Sequence, residues 1–180
     1  CAGAIAVAGV RHLGSKVGYS NVGPEMAIAA PAGNCVNLTG ACLYPLMTTI
    51  NSGNTTPGGN IYSDGFNYSV GTSFATPLVA ATAGLMLSVD PTLQPAQVKS
   101  ALQAAARPFP TGGADADVVA CRAPGAVEQI ECYCTTTTCG AGLLDAAAAV
   151  ARVQATAVPL LTARIVIPGG SLSVGQSVVL

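Results

Sequence analysis

The sequence predicts an α/β fold, a mostly parallel sheet with flanking helices, followed by the start of a β-rich module. Three observations carry this prediction. Residues 4–10, Ala-Ile-Ala-Val-Ala-Gly-Val, form an unbroken apolar run of the kind found inside a parallel sheet with helices on both faces. Residues 71–88 form a long helix-prone segment with little amphipathic contrast, the pattern of a helix buried on all sides. Residues 160–167 and 172–180 then change character, reading as two β segments around Pro168-Gly-Gly-Ser171.

The other elements follow in chain order. After the first strand comes a polar stretch, residues 11–21, with the only histidine, His12, and one of the two lysines, Lys16. Residues 26–30 read as a second short strand, stopped by Pro31. Residues 33–60, rich in Gly, Asn, Thr and Pro, read as a long surface loop. Residues 60–69 place Asp64-Gly65 between β-prone segments, which suits a tight hairpin turn because glycine tolerates positive φ. In the helix over 71–88, Pro77 fits the first turn, where its missing N–H matters little, and this puts Ser73 at the helix N-terminus. A second helix is expected from Pro95 to about 106, with Val98, Leu102 and Ala105 at helical spacing. Residues 107–140 read as a cysteine-rich excursion, and residues 141–153 as a third, alanine-rich helix. The domain reading is therefore 1–151 as the C-terminal part of a larger domain, 152–159 as a linker, and 160–180 as the truncated start of a β module that resembles the opening strands of immunoglobulin-like modules.

Composition narrows the function classes. The 180 residues hold 7 Lys or Arg and 8 Asp or Glu, a net charge of -1, so there is no basic patch for nucleic acid and no acidic tail. Charged residues are 8%, against about a quarter in an ordinary soluble domain. At 51% hydrophobic residues the chain is not a disordered one. No membrane span is expected, on the ground that no stretch of about 18 residues lacks charge or turn residues. The longest candidate, residues 146–167, is cut by Arg152, Pro159 and Arg164.

Seven cysteines point to a secreted, disulfide-bonded protein. No paired C-x2-C pattern exists for zinc, and the one histidine is far from any close cysteine pair. Cys35 and Cys42 would close a short loop. Cys121, Cys132, Cys134 and Cys139 allow three connectivities, with Cys132 and Cys134 pointing oppositely on an extended chain and so free to take different partners. Cys1 is the odd one. It and the opening of the chain, without a Met and directly into an interior-type strand, lead to the expectation that the sequence is a piece of a longer protein.

Ser73 is the residue with chemistry to offer. A helix N-terminus presents unpaired backbone N–H groups and the positive end of the dipole, which together can hold an oxyanion formed when a serine attacks a carbonyl. Gly71 would let a substrate backbone approach closely. The competing reading makes Ser73 an N-cap hydroxyl.

The wider pattern decides between them. Gly71-Thr-Ser-Phe-Ala-Thr-Pro-Leu-Val-Ala80, followed by Pro91-Thr-Leu-Gln-Pro-Ala-Gln-Val98, resembles the nucleophile region of subtilisin-like serine peptidases. Residues 4–10, Tyr19-Ser-Asn-Val-Gly-Pro24 and Ala29-Ala-Pro31 resemble that family's strand, its S-[NS]-x-G-P turn and its A-P-G, with Ala32 displacing the glycine to Gly33. Gly140-Ala-Gly-Leu-Leu-Asp-Ala-Ala147-type sequence resembles the closing helix, and the cysteine-rich insert is similar to that of secreted bacterial members. The resemblance spans residues 1–151 and implies endopeptidase chemistry on protein or peptide substrates through a Ser-His-Asp triad. It assigns Ser73 as nucleophile and backbone oxyanion donor, Thr72 as a secondary donor, and Gly71 and Val70 as substrate-binding positions.

The Asp, the His and the oxyanion Asn belong to upstream motifs that do not occur here, so this segment alone is expected to be inactive and to need an upstream half as its partner. His12 sits where the family has no catalytic residue and reads as structural. Phe74 replaces the usual methionine and should resist oxidation. Glu25 is followed by Met26 and Ala27, so one carboxylate of a cation site is missing; no metal or other cofactor is assigned, and a structural calcium is left to the full-length protein. Asp64, Asp115 and Asp117 form no calcium loop. Two rivals stand beside this reading. One is a non-catalytic scaffold of the same fold; the other, an α/β-hydrolase, needs G-x-S-x-G, which Gly71-Thr-Ser-Phe-Ala75 lacks.

Overall fold

The computed structural model describes residues 3–35, 39–63 and 69–156. Cys1, the Asp64-Gly65 turn, residues 157–159 of the expected linker and the expected β module at 160–180 lie outside the described residues.

Strand β1, Ala6–Val10, pairs in parallel with β2, Met26–Pro31, in the register Val7↔Ile28, Ala8↔Ala29, Gly9↔Ala30. The α/β character with a parallel sheet is thus observed. Strand β2 is bonded on its other edge as well. Ala141 N–H donates to Ala27 O (3.0 Å), Ala29 N–H to Gly142 O (2.9 Å) and Leu144 N–H to Ala29 O (2.7 Å).

This pairing corrects the expected third helix. Residues 141–145 are extended, not helical, and the helix runs from Ala146 to Thr156. Gly140 at φ 89° and Gly142 at φ 152° hold backbone angles foreign to a helix. Asp145 marks the true start: its Oδ1 accepts from Ala148 N–H (2.9 Å), as an N-cap carboxylate does. The same helix covers residues 152–156, which the sequence reading gave to a linker.

Numbered along the chain, the helices are α1, Thr72–Val89, α2, Pro95–Ala105, and α3, Ala146–Thr156. In α1 the buried positions Ala75, Val79, Thr82 and Met86 recur at steps of four, three and four, one helical face turned onto the sheet and α3. Thr82 is tolerated there because its hydroxyl donates to Leu78 O (2.8 Å). The expectation of burial on all sides is not met: Leu78, Leu85 and Leu87 are exposed, and among the described residues no element covers that flank. Among the described residues the candidate membrane span is α1, not the stretch from residue 146 that the sequence suggested. At 18 residues with a mean hydropathy of 1.4, α1 is long and apolar enough to cross a membrane; here it packs one face, bearing Ala75, Val79, Thr82 and Met86, against the sheet and α3. In α2, Pro95 opens the first turn, Gln94 N–H donates to Gln97 Oε1 (2.7 Å), and Val98 and Leu102 are buried.

The sheet has different coverings on its two faces. Ile28 and Ala30 join Ala75, Val79, Met86, Leu102 and Val153 in one cluster beneath the helices. Ala8, Val10 and Ala29, which point the other way, pack against Cys121, Cys132, Cys134 and Cys139. Among the described residues, a disulfide-laced insert closes the face where a second helical layer was expected. Its bonds are Cys121–Cys132 and Cys134–Cys139, and a third disulfide joins Cys35 to Cys42. Loops this short are each worth about 2–3 kcal/mol on the chain-entropy model. The Sγ atoms of Cys121, Cys134 and Cys139 lie within 4.8 Å of one another, but all three are in disulfides and offer no thiolate to a metal.

The insert is also tied down by charge. The buried Lys16 ammonium donates to Val17 O (2.9 Å), Gly18 O (3.2 Å) and Gln129 O (2.5 Å), while Arg11 and Ser15 both reach Glu131. Burial holds the Lys16 pKa below the ordinary lysine value.

Residues 33–60 are not loop throughout. Strand β3, Thr49–Asn51, pairs antiparallel with β4, Asn60–Tyr62, so the partner of the latter lies upstream of it. Asn51 makes the hairpin possible: its Oδ1 accepts from Gly53 N–H (3.0 Å) and Gly58 N–H (2.7 Å), and its Nδ2 donates to Gly58 O (3.0 Å).

Candidate active site

The site is built where parallel strands end and α1 begins, the usual place for chemistry in an α/β sheet. The carboxyl end of β2 fixes the helix start. Ala32 N–H donates to Val10 O (2.9 Å), and Ala32 O accepts from Gly71 N–H (2.8 Å). Small residues allow this closeness. A Cβ on Gly9 would come within 2.8 Å of Ala32 Cβ and 3.1 Å of Thr72 Cγ2. A Cβ on Gly33, at φ 78°, would meet Val70 Cγ1 at 2.8 Å.

The helix N-cap is Gly71, at φ 147° and ψ 156°, and no side chain caps the helix. The competing reading of Ser73 as an N-cap hydroxyl is therefore not what the fold contains. Ser73 is the second residue of α1, and it is exposed. Its N–H is one of the four that an α-helix leaves without an intrahelical acceptor. Phe74 N–H, by contrast, turns back to Gly71 O (2.9 Å). Gly71, Thr72 and Ser73 thus lie together at the positive end of an 18-residue helix, with Val70 half-buried against Gly33. The hydroxyl at position 76 is engaged: Thr76 Oγ1 donates to Thr72 O (2.9 Å).

His12 takes no part in this cluster. Its ring stacks on Tyr44, with centroids 3.7 Å apart and planes 18° from parallel. Burial, then the Arg11 guanidinium, lower its pKa, and Glu131 opposes them. It lines a cavity of about 370 Å³ with Arg11, Pro31 and Leu143, to which residues 70–73 do not contribute. Asp115 and Asp117 are exposed, as is Glu25, which sits beside a half-buried Met26.

One residue at the site was quoted in the sequence only as part of a motif. The Tyr19 hydroxyl donates to Ala32 O (2.7 Å) and Gly33 O (2.5 Å). Desolvation pushes the Tyr19 pKa up to about 12, against a smaller opposite effect of the Gly71 backbone N–H. The S-N-x-G-P turn that follows Tyr19 was the available signal, but sequence spacing says nothing of where a phenol ends.

Comparison with known proteins gives a consistent result. The family model Peptidase_S8, described as the subtilase family, matches residues 1–139. A protein named extracellular protease from Xanthomonas campestris pv. campestris is 39% identical over 123 residues, which are 66% of this chain and 19% of that protein. A protease structure from Pseudoalteromonas arctica superposes with a TM-score of 0.64 at 32% identity, covering 85% of this chain and 37% of that one. The chain therefore spans well under half the length of either relative.

Proposed function

Because the chain belongs to the subtilase family of serine peptidases, we propose that it carries the nucleophile-bearing part of a secreted bacterial endopeptidase, with Ser73 as the nucleophile. One observation supports this most directly: Ser73 is exposed at the second position of a helix capped by glycine, with no side-chain cap on that helix. An uncapped helix start leaves its N–H groups to a ligand, and an anionic one gains from the dipole.

The reaction follows from that placement. Ser73 Oγ attacks the scissile carbonyl carbon while a histidine takes its proton. The carbonyl π electrons move to oxygen, and the Ser73 N–H donates to the oxyanion, with Thr72 as a secondary donor. Collapse breaks the C–N bond, the amine leaves with the proton held by the histidine, and an acyl-Ser73 ester remains for water to hydrolyse. The histidine and its orienting aspartate come from sequence outside these 180 residues, as does the remaining oxyanion donor. This segment alone is inactive for that reason, since an unassisted serine is an ordinary alcohol. Gly71 and Val70 border the acyl side of the substrate. The disulfides and the relative named extracellular protease support an extracellular setting and protein substrates.

A fluorophosphonate probe tests the assignment. Applied to the intact folded enzyme, it should modify the peptide containing Ser73, and unfolding should abolish the modification. A folded intact protein that leaves Ser73 unmodified would point instead to a non-catalytic scaffold of the same fold.

A further inference from the structure

Tyr19 has no chemical role in the mechanism above, yet its phenol joins the elements that set the nucleophile's position. One hydroxyl proton is shared between Ala32 O at 2.7 Å and Gly33 O at 2.5 Å. Ala32 O is also the acceptor of Gly71 N–H at 2.8 Å. The end of β2 and the N-cap of α1 therefore meet at Ala32 O, which the phenol also engages, and Gly71 is two residues from Ser73.

Both segments it holds have backbone angles that need support. Gly33 is at φ 78° and Gly71 at φ 147°. Glycine adopts such angles freely but also leaves them freely, so external contacts must select them. The turn that carries the phenol is itself anchored. Ser20 N–H donates to Val17 O (3.0 Å), and Ser20 Oγ accepts from Gly9 N–H (2.8 Å) in β1. The hydroxyl is thus carried by a turn tied to the same sheet as Ala32.

We propose that Tyr19 is a positioning residue for the nucleophile. Its hydroxyl fixes the Ala32 and Gly33 carbonyls, and Ala32 O in turn holds the Gly71 amide, so that Ser73 Oγ and Ser73 N–H meet the scissile carbonyl together. This rests on the assignment of Ser73 as nucleophile. Tyr19 touches no reacting atom; it acts through Gly71. Phenylalanine in its place keeps the ring and its packing but removes the bond to Gly33 O and half of the clamp on Ala32 O. A loosened nucleophile lowers the rate of the chemical step without altering how substrate is held elsewhere.

The test compares Tyr19→Phe and Ser73→Ala with wild type in the intact enzyme, each normalised to folded protein. Tyr19→Phe should lower kcat about tenfold, leave KM within roughly twofold, and slow fluorophosphonate labelling of Ser73 by the same factor as kcat. A Tyr19→Phe enzyme with wild-type kcat and labelling rate overturns the proposal, and so does a variant in which KM alone changes. Ser73→Ala separates the two levels. If it is inactive while Tyr19→Phe is unimpaired, only the positioning role fails; if it stays active, the nucleophile assignment fails and the positioning role with it.

Discussion

Replacing Gly71 with alanine probes the turn on which the nucleophile stands. Gly71 sits at φ 147° and ψ 156°, a region occupied essentially by glycine alone, where another residue costs on the order of 1–3 kcal/mol. The cost is conformational and not a clash, because a Cβ there would come no closer than 3.7 Å to Ser73 N and 3.9 Å to Phe74 Cδ2. The variant can keep the turn and lose that much stability. Alternatively it can rotate, drawing Gly71 N–H off Ala32 O and carrying Ser73 with it. An energy of about 1–3 kcal/mol is then roughly a 5- to 150-fold fall in the population of the competent turn. The assay is kcat/KM on a quenched peptide substrate together with the thermal unfolding midpoint, both on the intact enzyme. Gly71→Ala should lower the midpoint by a few degrees, or kcat/KM by about ten- to a hundredfold, or divide the loss between them. Gly125→Ala is the control, since nothing lies within 4 Å of its Cβ position and its φ is ordinary. Wild-type values for Gly71→Ala in both measurements would refute the reasoning.

Two further outcomes follow from the same geometry. Gly140→Ala should destabilise by about 3–5 kcal/mol, combining a positive-φ penalty with overpacking that cannot relax. Its Cβ would lie 2.3 Å from Ala27 C and 2.5 Å from Ile28 N, backbone atoms of β2; a urea unfolding midpoint equal to wild type would contradict this. The second concerns pH. The Tyr19 pKa is pushed up from 10.0 to about 12 by burial, so the folded protein holds this proton more tightly than the unfolded chain does. The resulting stability is complete below pH 10 and is lost as pH rises towards about 12. Thermal midpoints of wild type and Tyr19→Phe should therefore converge over that range, and a constant difference between them would exclude the linkage.

The parts legible in the sequence are those where local pattern and tertiary demand agree. Residues 4–10 and 26–30 are too apolar to be anything but interior strands, and β1 and β2 lie there. The glycine–serine start of α1 placed that helix to within a residue or two, but Pro77 is its sixth residue, beyond the first turn where it was expected. The reading failed where one of these was silent. Residues 141–145 carry helix-forming alanine and leucine, but hydrogen bonds to Ala27 and Ala29 of β2 override that preference. Strand β3 is three residues long, and Asn51, not an apolar alternation, specifies its hairpin. Helix α1 is apolar all round, yet only the face bearing Ala75, Val79, Thr82 and Met86 is covered among the described residues. At the candidate site, Ser73, Thr72, Gly71 and Val70 were read from one contiguous motif and lie together because they are neighbours in the chain. Tyr19 was not legible as their partner, because its link to Gly71 crosses 52 positions of sequence and runs through carbonyl groups that every residue has.

Ser73→Ala in the intact enzyme, assayed for peptide hydrolysis beside its thermal midpoint, tests the central claim most directly. The substitution removes one exposed oxygen from a helix that does not use it as a cap, so the folded state should be unaffected. Hydrolysis should fall by about a millionfold, the scale of losing a triad nucleophile. An alanine variant that still cleaves peptides at a rate near wild type would contradict the account.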